Sequence, residues 1–348
     1  AKKYVEKVYF HPWSGSFSEA RNWSISLATG EYIFIVDGDD EIKQEDIDKI
    51  IKEFSEDDYK KYNTFSLKVK SYFTEKLDDY STMVQNHIFK NDGSFYYSGA
   101  VHNQPMYKKP IKHLNISLMH YGYIMTPEVS EKKYNRTVPL LKKELEKSFN
   151  SIDKSIYYRY QLASSYNMHK DYKEALEEVR IYLKIVKDNW NKIKHNYNIT
   201  YNVLAVIVYF NNELYDEALD ICNKSLKMIP EYIDFMYFKG NILFIKKNYK
   251  ESIKCMKQYL EMLDKFDSLD ISKDARYVFY TLNSSKEVYL KMINGYYMLN
   301  DYKQCIEYIN KIQDEEILQK IIYIIFECYF KEKEYKKLIK LYETYITP

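Results

Sequence analysis

The stretch EYIFIVDGDDEI, residues 31–42, joins a short apolar run to three carboxylates around one glycine. The run from Tyr32 to Val36 has the aromatic and β-branched residues that favour a strand. Gly38 permits a tight turn, and the crowded acids after the run repel one another unless a cation lies among them. The pattern therefore predicts a strand that ends at a cation-binding turn, within an α/β domain.

Asp37 and Asp39 are two residues apart, so they share one face if the strand continues across Gly38. Two hard oxygen ligands suit Mg²⁺ or Mn²⁺, which complete their shells with water and ligand phosphates. Asp40 could also bind the ion or cap the next segment. A solvated acidic loop remains the alternative to a metal site.

Two other uses of this spacing do not fit. An EF-hand loop that begins at Asp37 would need Gly and Glu where Ile42 and Asp48 stand. A phosphatase with an aspartyl nucleophile usually has Gly and Thr after its second Asp, whereas this chain has DDE.

Up to about Tyr123 the sequence mixes strand-like runs with two helical segments. The runs begin at Lys7, Tyr32, Tyr62, Ser94 and Asn115. The first helical segment has Ser18 as a plausible N-cap and Gly30 as its stop. This alternation predicts an α/β layer structure.

From about Ser130 onward the pattern is helical, and one phrase recurs five times, as in KDYKEAL and ELYDEAL. Its tyrosine stands at Tyr172, Tyr215, Tyr249, Tyr302 and Tyr335. Two of the four intervals are close to the ~34-residue period of helix-turn-helix repeats. Small residues follow three positions later at Ala175, Ala218, Ser252 and Cys305, and Leu338 marks a degenerate or capping copy. These features resemble tetratricopeptide repeats, and the alternative is a helical hairpin array outside that family.

The composition argues against some classes of function. The 348 residues carry a net charge of +2, which argues against a nucleic-acid binder that works through bulk charge. No apolar run reaches the ~20 residues that a membrane helix needs. The four cysteines form no C-x-x-C pair and are expected to be buried, reduced side chains, which favours a cytoplasmic location.

The segment FSEARNWSISLATGEYIFIVDGDDEI, residues 17–42, resembles the approach to the D-x-D motif in inverting family 2 glycosyltransferases of the GT-A fold. GAVHNQP, residues 99–105, looks like the family's segment near the acceptor, and HYGY, residues 120–123, looks like a later motif. Some members also carry a helical repeat domain after the catalytic domain. The resemblance implies an α/β domain of GT-A type, here incomplete, followed by an all-α tetratricopeptide-like solenoid.

The resemblance also implies residue roles. Asp37 would face the ribose or diphosphate, Asp39 would bind Mn²⁺ or Mg²⁺, and His120 would be a further ligand or diphosphate contact. Arg21 and Asn22 would contact the nucleotide. Two simpler interpretations stay open, because Arg21 could pair with a surface glutamate, Glu19 or Glu31, and His120 could be a packing residue.

Two departures from the family pattern affect the mechanism. The usual His-Glu pair is His102-Asn103 here, and Asn cannot take the acceptor's proton. His102, Asp92 or another group would have to act as the base, or a thiol acceptor would need less help, or the domain would be inactive. The family's first strand and loop would precede YVEKVYF, so either those residues lie upstream of Ala1 or this chain is a truncated product that lacks half of a nucleotide site.

Three regions are predicted: a partial glycosyltransferase domain at 1–125, a connecting helix at 126–150 and helical repeats at 151–348. The expected function is transfer of a hexose or N-acetylhexosamine from a UDP-sugar to Ser, Thr or Cys of a protein or peptide held by the repeats. A repeat scaffold with a relic α/β domain is the alternative. A lipid-linked or polysaccharide acceptor would require an amphipathic docking helix, and none stands out. Homo-oligomers through the repeats are a further expectation.

Overall fold

The computed structural model describes residues 7–99, 103–148, 150–312 and 314–345. These residues form two compact units. The first unit runs to Leu77, continues from Thr82 to Asn196 and includes Lys273–Arg276, and the second has Asp78–Ser81, Tyr197–Ser272 and the residues from Tyr277 onward. The predicted domain limits at residues 125 and 150 stay a prediction.

A mixed sheet forms the centre of the α/β region. Its elements are β1 (Tyr32–Phe34), β2 (Asp40–Ile42), β3 (Thr64–Tyr72), β4 (Tyr80–Lys90), β5 (Tyr96–Ser98), β6 (Gln104–Met106) and β7 (Ile111–His120). The main sheet has the order β1-β4-β3-β7-β2, and β5 pairs with β6. Strands β3 and β7 are parallel, whereas β1 pairs with β4 and β2 with β7 in antiparallel register.

Two helices belong to this region, α1 (Phe17–Ser26) and α2 (Gln44–Ser55). Alternate residues of β3 and β7, such as Leu67 and Leu118, are almost fully buried in one apolar cluster. Ile50 and Phe54 of α2 lie four residues apart on one face of the helix and pack against this cluster. The predicted α/β layer is therefore confirmed.

Helix α1 differs from the sequence prediction at both ends. Its N-cap is Ser16, whose hydroxyl accepts from the amide of Glu19. Ser18 lies inside the helix, where its buried hydroxyl donates to the Gly99 carbonyl. The helix stops at Ser26, well before Gly30, so both predicted boundaries were wrong.

Two strand predictions also failed. Residues 7–13, expected to be a strand, have no regular secondary structure. Strand β4 was missed because its buried positions include Ser81 and Thr82, so its apolar residues do not alternate cleanly.

The rest of the chain is helical. Its helices are α3 (Pro127–Lys147), α4 (Ile152–His169), α5 (Tyr172–Ile193), α6 (Thr200–Asn211), α7 (Tyr215–Met228), α8 (Ile233–Ile245), α9 (Tyr249–Lys265), α10 (Ser285–Met298), α11 (Tyr302–Ile309), α12 (Glu315–Lys320), α13 (Ile322–Lys331) and α14 (Tyr335–Tyr345). Two 3₁₀ turns (Phe266–Ser268 and Asp270–Lys273) and a short strand, β8 (Val278–Phe279), fill the longest insertion between hairpins.

Each of the five predicted repeat copies is a helical hairpin whose second helix begins at the repeat tyrosine. Every hairpin turns through a residue with positive φ two positions before that tyrosine: Lys170, Glu213, Lys247, Asn300 and Lys333. The small residues are buried, and the Ser252 hydroxyl donates to the carbonyl of Gly240 on the facing helix, 2.8 Å away. Close helix approach explains the small side chains, and the predicted helical repeats are confirmed.

The four cysteines are free and buried, as expected. Within the described ranges, no helix is long and apolar enough to cross a membrane.

Candidate active site

The acidic turn leads directly from β1 into β2. Strand β1 ends at Phe34, and Gly38 and Asp39 lie in a turn. The amide of Asp37 donates to the carboxylate of Asp40 at 2.8 Å, and the amide of Asp40 donates to the Asp37 carbonyl at 3.1 Å. These two bonds reverse the chain. Asp37 and Asp39 therefore do not share a strand face, and each has different neighbours.

Arg21 is the cation beside Asp37. One guanidinium nitrogen, Nη2, lies 2.8 and 2.6 Å from the two carboxylate oxygens. The guanidinium also stands 5.1 Å from the centre of the Tyr97 ring. Arg21 pairs with neither Glu19 nor Glu31, because Glu19 contacts His11 and Ser14, and Glu31 accepts from Tyr59.

Asn22 fixes the strand that carries Tyr97. Its side-chain amide donates to the Tyr97 carbonyl at 2.9 Å, and its side-chain oxygen accepts from the Tyr97 amide at 2.7 Å. Both ends of Asn22 are thus engaged with one backbone residue. This arrangement holds α1 against β5 and sets the position of Arg21, the next residue along the chain.

Asp40 and His120 form the partly buried centre of the site. They are directly paired across the β2–β7 ladder. His120 Nδ1 lies 2.8 Å from Asp40 Oδ1 and 3.8 Å from Asp39 Oδ1. Only 4% of the Asp40 side chain is exposed, against 50% for Asp39. The structure therefore brings Asp39 and His120 together, with Asp40 as the residue that holds the imidazole.

The pKa values follow from these contacts. Burial alone would raise the pKa of Asp40, but hydrogen bonds from His120 and the Asp37 amide outweigh it, and that pKa is lowered. The hydrogen bond to Asp40 raises the pKa of His120 against the opposing effect of burial. A proton on Nδ1 that is shared with Asp40 leaves Nε2 as the ring nitrogen available to a ligand.

Gly122 provides the room that this cluster needs. A Cβ at this position would lie 2.7 Å from His120 Nε2 and would also collide with Asp39 Oδ2. Both atoms therefore border the same small volume beside the Gly122 backbone. Any larger residue would fill that volume.

The donor set fits a divalent cation. Asp39, Asp40 and His120 each offer one ligand atom, and these atoms lie within 4.8 Å of one another. Asp40 already accepts two hydrogen bonds, which leaves Asp39 and His120 Nε2 as the groups that would hold the ion. An imidazole among the ligands suits Mn²⁺ better than Mg²⁺.

Lys133 of α3 is a second cation near the acids, and no sequence motif points to it. Its ammonium stands 4.4 Å from the centre of the Tyr123 ring. Burial lowers the pKa of Lys133, while attraction to Asp39 opposes that shift. Tyr123 packs edge-on against His120, with ring centres 5.3 Å apart. No motif spacing could have identified Lys133, because α3 lies outside the matched phrases.

The predicted catalytic pair is only partly visible. His102 lies outside the described residues. Asn103 is half-buried, and its Nδ2 atom has no hydrogen-bond partner among the parts of the chain that the structure covers. Asp92, the other candidate base, accepts from Ser94 and Lys108, and these bonds hold its pKa far below the usual range. A carboxylate held so acidic is a weak base.

The N-terminal region matches a known protein family. Residues 1–110 match the family described as Glycosyl transferase family 2. The resemblance predicted from the motifs is therefore confirmed for the α/β part of the chain, which is followed by tetratricopeptide-like helical hairpins.

Two curated proteins share sequence over most of the chain. The SPbeta prophage-derived glycosyltransferase SunS of Bacillus subtilis (strain 168) is 23% identical over 278 residues, which is 77% of this chain and 62% of that protein. Glycosyltransferase SunS of Bacillus phage SPbeta matches with the same values. The matched region thus spans less than two thirds of these relatives.

Solved structures resemble the helical part only loosely. MamA from Desulfovibrio magneticus RS-1 has a TM-score of 0.39 at 14% identity, covering 53% of this chain and 89% of its own. A putative kinesin light chain with TPR-like repeats from Podosopora anserina has a TM-score of 0.40 at 12% identity and covers the same shares. Scores at this level carry no argument about function.

Proposed function

We propose that the protein is a metal-dependent, inverting glycosyltransferase that moves a hexose or N-acetylhexosamine from a UDP-sugar to a protein or peptide. The acceptor atom belongs to Ser, Thr or Cys. The family match and the glycosyltransferase relatives support the class. The observation that carries the proposal is the cluster of Asp39, Asp40 and His120 at the acidic turn.

Asp39, Asp40 and His120 have separate roles in the proposed metal site. Asp39 and His120 hold Mn²⁺ or Mg²⁺, and Asp40 fixes the imidazole so that Nε2 faces the site. When bound, the ion supplies Lewis-acid stabilisation of the charge that grows on the departing UDP. Gly122 keeps the volume beside these two ligands open.

Arg21 and Asp37 act on the nucleotide side. A guanidinium that is already paired with Asp37 and lies beside Tyr97 has little freedom, so it meets a phosphate or base edge in a set orientation. Lys133 supplies a second positive charge toward the diphosphate. Asn22 acts on Arg21 indirectly, by holding β5.

The acceptor's proton needs a separate route. Asn103 cannot take it, and the low pKa of Asp92 makes that carboxylate a poor base. We propose His102 as the base, with Asn103, its neighbour in the chain, as the second catalytic residue. A thiol acceptor, which ionises more readily than a hydroxyl, would need the least assistance.

The helical hairpins are proposed to hold the acceptor. Stacked hairpins of this kind present extended surfaces that suit a peptide or a protein. We also propose a cytoplasmic location, which agrees with the four free cysteines. The competing proposal is a scaffold that binds a partner through the repeats, with an α/β region that has lost catalysis, and the Asn at position 103 favours it.

An assay of UDP release tests the proposal. The full chain, supplied with Mn²⁺ and UDP-sugars, should hydrolyse its preferred donor slowly even without an acceptor. Asp39→Asn should reduce that rate by at least about 100-fold, because it removes a charged ligand. Asp48→Asn, which changes an exposed acid on α2, is the matched control and should leave the rate unchanged.

UDP release that is equal in the wild type and the Asp39→Asn variant would refute the metal-dependent enzyme. Absence of release, combined with absence of UDP binding, would favour the scaffold.

A further inference from the structure

A partly buried histidine of β4, His87, lies beside the start of the acidic turn and has no part in the proposed function. The N–H of Ile35 donates to the main-chain carbonyl of His87 at 2.9 Å, and Nδ1 of the imidazole lies 2.8 Å from the carbonyl oxygen of Ile35. Because a carbonyl oxygen can only accept, Nδ1 is the donor in the second bond. One residue of β4 therefore holds both main-chain polar groups of Ile35.

The side-chain bond of His87 begins where the β1–β4 ladder stops. Strand β1 ends at Phe34, which pairs with Ile88. In a continued antiparallel ladder, the carbonyl of Ile35 would accept from a main-chain amide. Here the imidazole donates to it, and the ring itself is held by Gln85, whose side-chain oxygen lies 3.2 Å from Nε2. The chain therefore stays beside β4 for one more residue before it turns.

Ile35 is the last residue of the apolar run that packs into the core before the turn. Its side chain lies against the cluster that contains Ile33 and Phe89. The next residue, Val36, is 46% exposed, and residues 36–39 are all exposed. The position of this exposed segment therefore depends on how its two ends are held.

Two imidazoles hold opposite ends of the acidic turn. His87 holds the start of the turn, and His120 of β7 holds its end, where Nδ1 lies 2.8 Å from the carboxylate of Asp40. Burial lowers the pKa of His87, and the nearby carboxylates of Asp40 and Asp37 act against that shift. The His87 ring is thus close to the acids of the turn as well as bonded to the strand that leads into it.

We propose that His87 is a positioning residue, which fixes the start of the acidic turn and thereby the places of Asp37 and Asp39. It acts through the main chain of Ile35 and contacts neither the ion nor the nucleotide. The consequence for Mn²⁺ and UDP rests on the proposed function, whereas the hold of His87 on the turn does not.

Substitutions of His87 separate the hydrogen bond from the volume of the ring. His87→Asn places an amide nitrogen close to the position of Nδ1 and so keeps a donor to the Ile35 carbonyl. His87→Leu fills a similar space without a donor. His87→Gln, whose amide reaches the position of Nε2 instead, replaces the leucine variant if circular dichroism shows that the latter does not fold.

His113→Leu is the matched control. His113 is also a partly buried histidine of the main sheet, and its Nδ1 atom lies 3.3 Å from the hydroxyl of Ser66. It stands near the start of β7, roughly 20 Å along the strand from His120. This variant removes a histidine hydrogen bond from the same sheet without affecting the turn.

Hydrogen–deuterium exchange of the full chain tests the positioning without any ligand. In His87→Leu, the amides of residues 35–40 should exchange at least about tenfold faster than in the wild type, because the turn has lost the bond that holds its start. His87→Asn should stay close to the wild type, and His113→Leu should leave these amides unchanged. Wild-type exchange in His87→Leu, or equally fast exchange in the leucine and asparagine variants, would overturn the proposal.

Calorimetry of UDP binding in the presence of Mn²⁺ tests the consequence for the site. His87→Leu should weaken UDP binding by at least about tenfold, as expected when the support of metal ligands is lost, and His87→Asn should restore it to within about threefold of the wild type. Faster exchange in His87→Leu together with unchanged UDP affinity would overturn the role of His87 in the site. A wild type that binds no UDP would contradict the proposed function, and the exchange experiment would still decide whether His87 holds the turn.

Discussion

Asp234 offers a quantitative test of how the repeats hold their longest insertion. The residue lies in the first turn of α8 and is completely buried. Its carboxylate accepts from the amides of Tyr280 and Thr281 at 3.0–3.2 Å and from the Thr281 hydroxyl at 2.6 Å. Burial nevertheless dominates and raises the pKa of Asp234 from 3.8 to about 6.

The sign and size of the effect follow from linkage. The pKa of Asp234 is higher in the folded state than in the unfolded chain. Protonation of Asp234 therefore stabilises the folded state fully below the unfolded-state pKa, and this stabilisation is lost as pH rises through about 6. A shift of about two pKa units corresponds to roughly 3 kcal/mol at the limit. Between about pH 8 and pH 5, the folded state should gain about 1.4 kcal/mol from this residue.

Asp234→Asn removes the titrating group and keeps most of its volume. Denaturant unfolding of both proteins at several pH values gives the difference between their unfolding free energies. That difference should change by about 1.4 kcal/mol in favour of the wild type on acidification from about pH 8 to pH 5. A difference that does not vary with pH would refute the reasoning, and a change of opposite sign would show that Asp234 is stabilised as the anion.

Three further predictions concern residues of the first unit. Gly122→Ala should lower Mn²⁺ affinity by at least about tenfold, because its Cβ displaces Asp39 and His120; a metal titration that matches the wild type would contradict this. Arg21→Lys should weaken UDP binding by about tenfold in calorimetry, since an ammonium lacks the planar fork, whereas Arg180→Lys on the exposed face of α5 should have no effect. His169 contacts Glu131 and Asp171 at 2.8 and 2.9 Å, and the hydrogen bond to Glu131 is the main cause of its raised pKa. The small stabilisation from this cluster should be present below about pH 6.5 and disappear as pH rises through the folded pKa. The unfolding free energies of the wild type and Glu131→Gln should differ least at high pH. A difference that does not change with pH would show that protonated His169 does not stabilise the fold through Glu131.

The repeats were predictable because their signals are local. A tyrosine that begins the second helix and a turn of fixed length recur in all five hairpins, and a small residue follows three positions after the tyrosine in the first four. This local pattern identifies the hairpins without knowledge of contacts between residues distant in sequence. The small residues at Ala175, Ala218, Ser252 and Cys305 are buried for the reason that their spacing suggested.

The candidate site was predicted less completely because its contacts are distant in sequence. Asp40 was placed among the acids, but its pairing with His120 depends on the β2–β7 register, and the two residues are 80 positions apart. The turn at Gly38 was expected, yet the strand was extended too far through Asp39. Lys133 reaches the site from a helix that carries no motif.

The predictions of helix and strand boundaries were wrong because hydroxyl side chains are buried where the patterns expect exposed ones. Ser18 has the side chain of an N-cap, but it is drawn inward to the Gly99 carbonyl, and Ser16 caps the helix instead. Strand β4 buries hydroxyl groups among its apolar residues, which removed the alternation that would have revealed it.

The central claim is that Asp39 and His120 hold a divalent cation that carries a nucleoside diphosphate. Electron paramagnetic resonance of Mn²⁺, titrated with the full chain in the presence and absence of UDP, measures that binding directly. We expect a bound Mn²⁺ signal that UDP strengthens and that both Asp39→Asn and His120→Gln weaken by at least about tenfold, while Asp48→Asn leaves it intact. Equal Mn²⁺ binding by all four proteins would contradict the account.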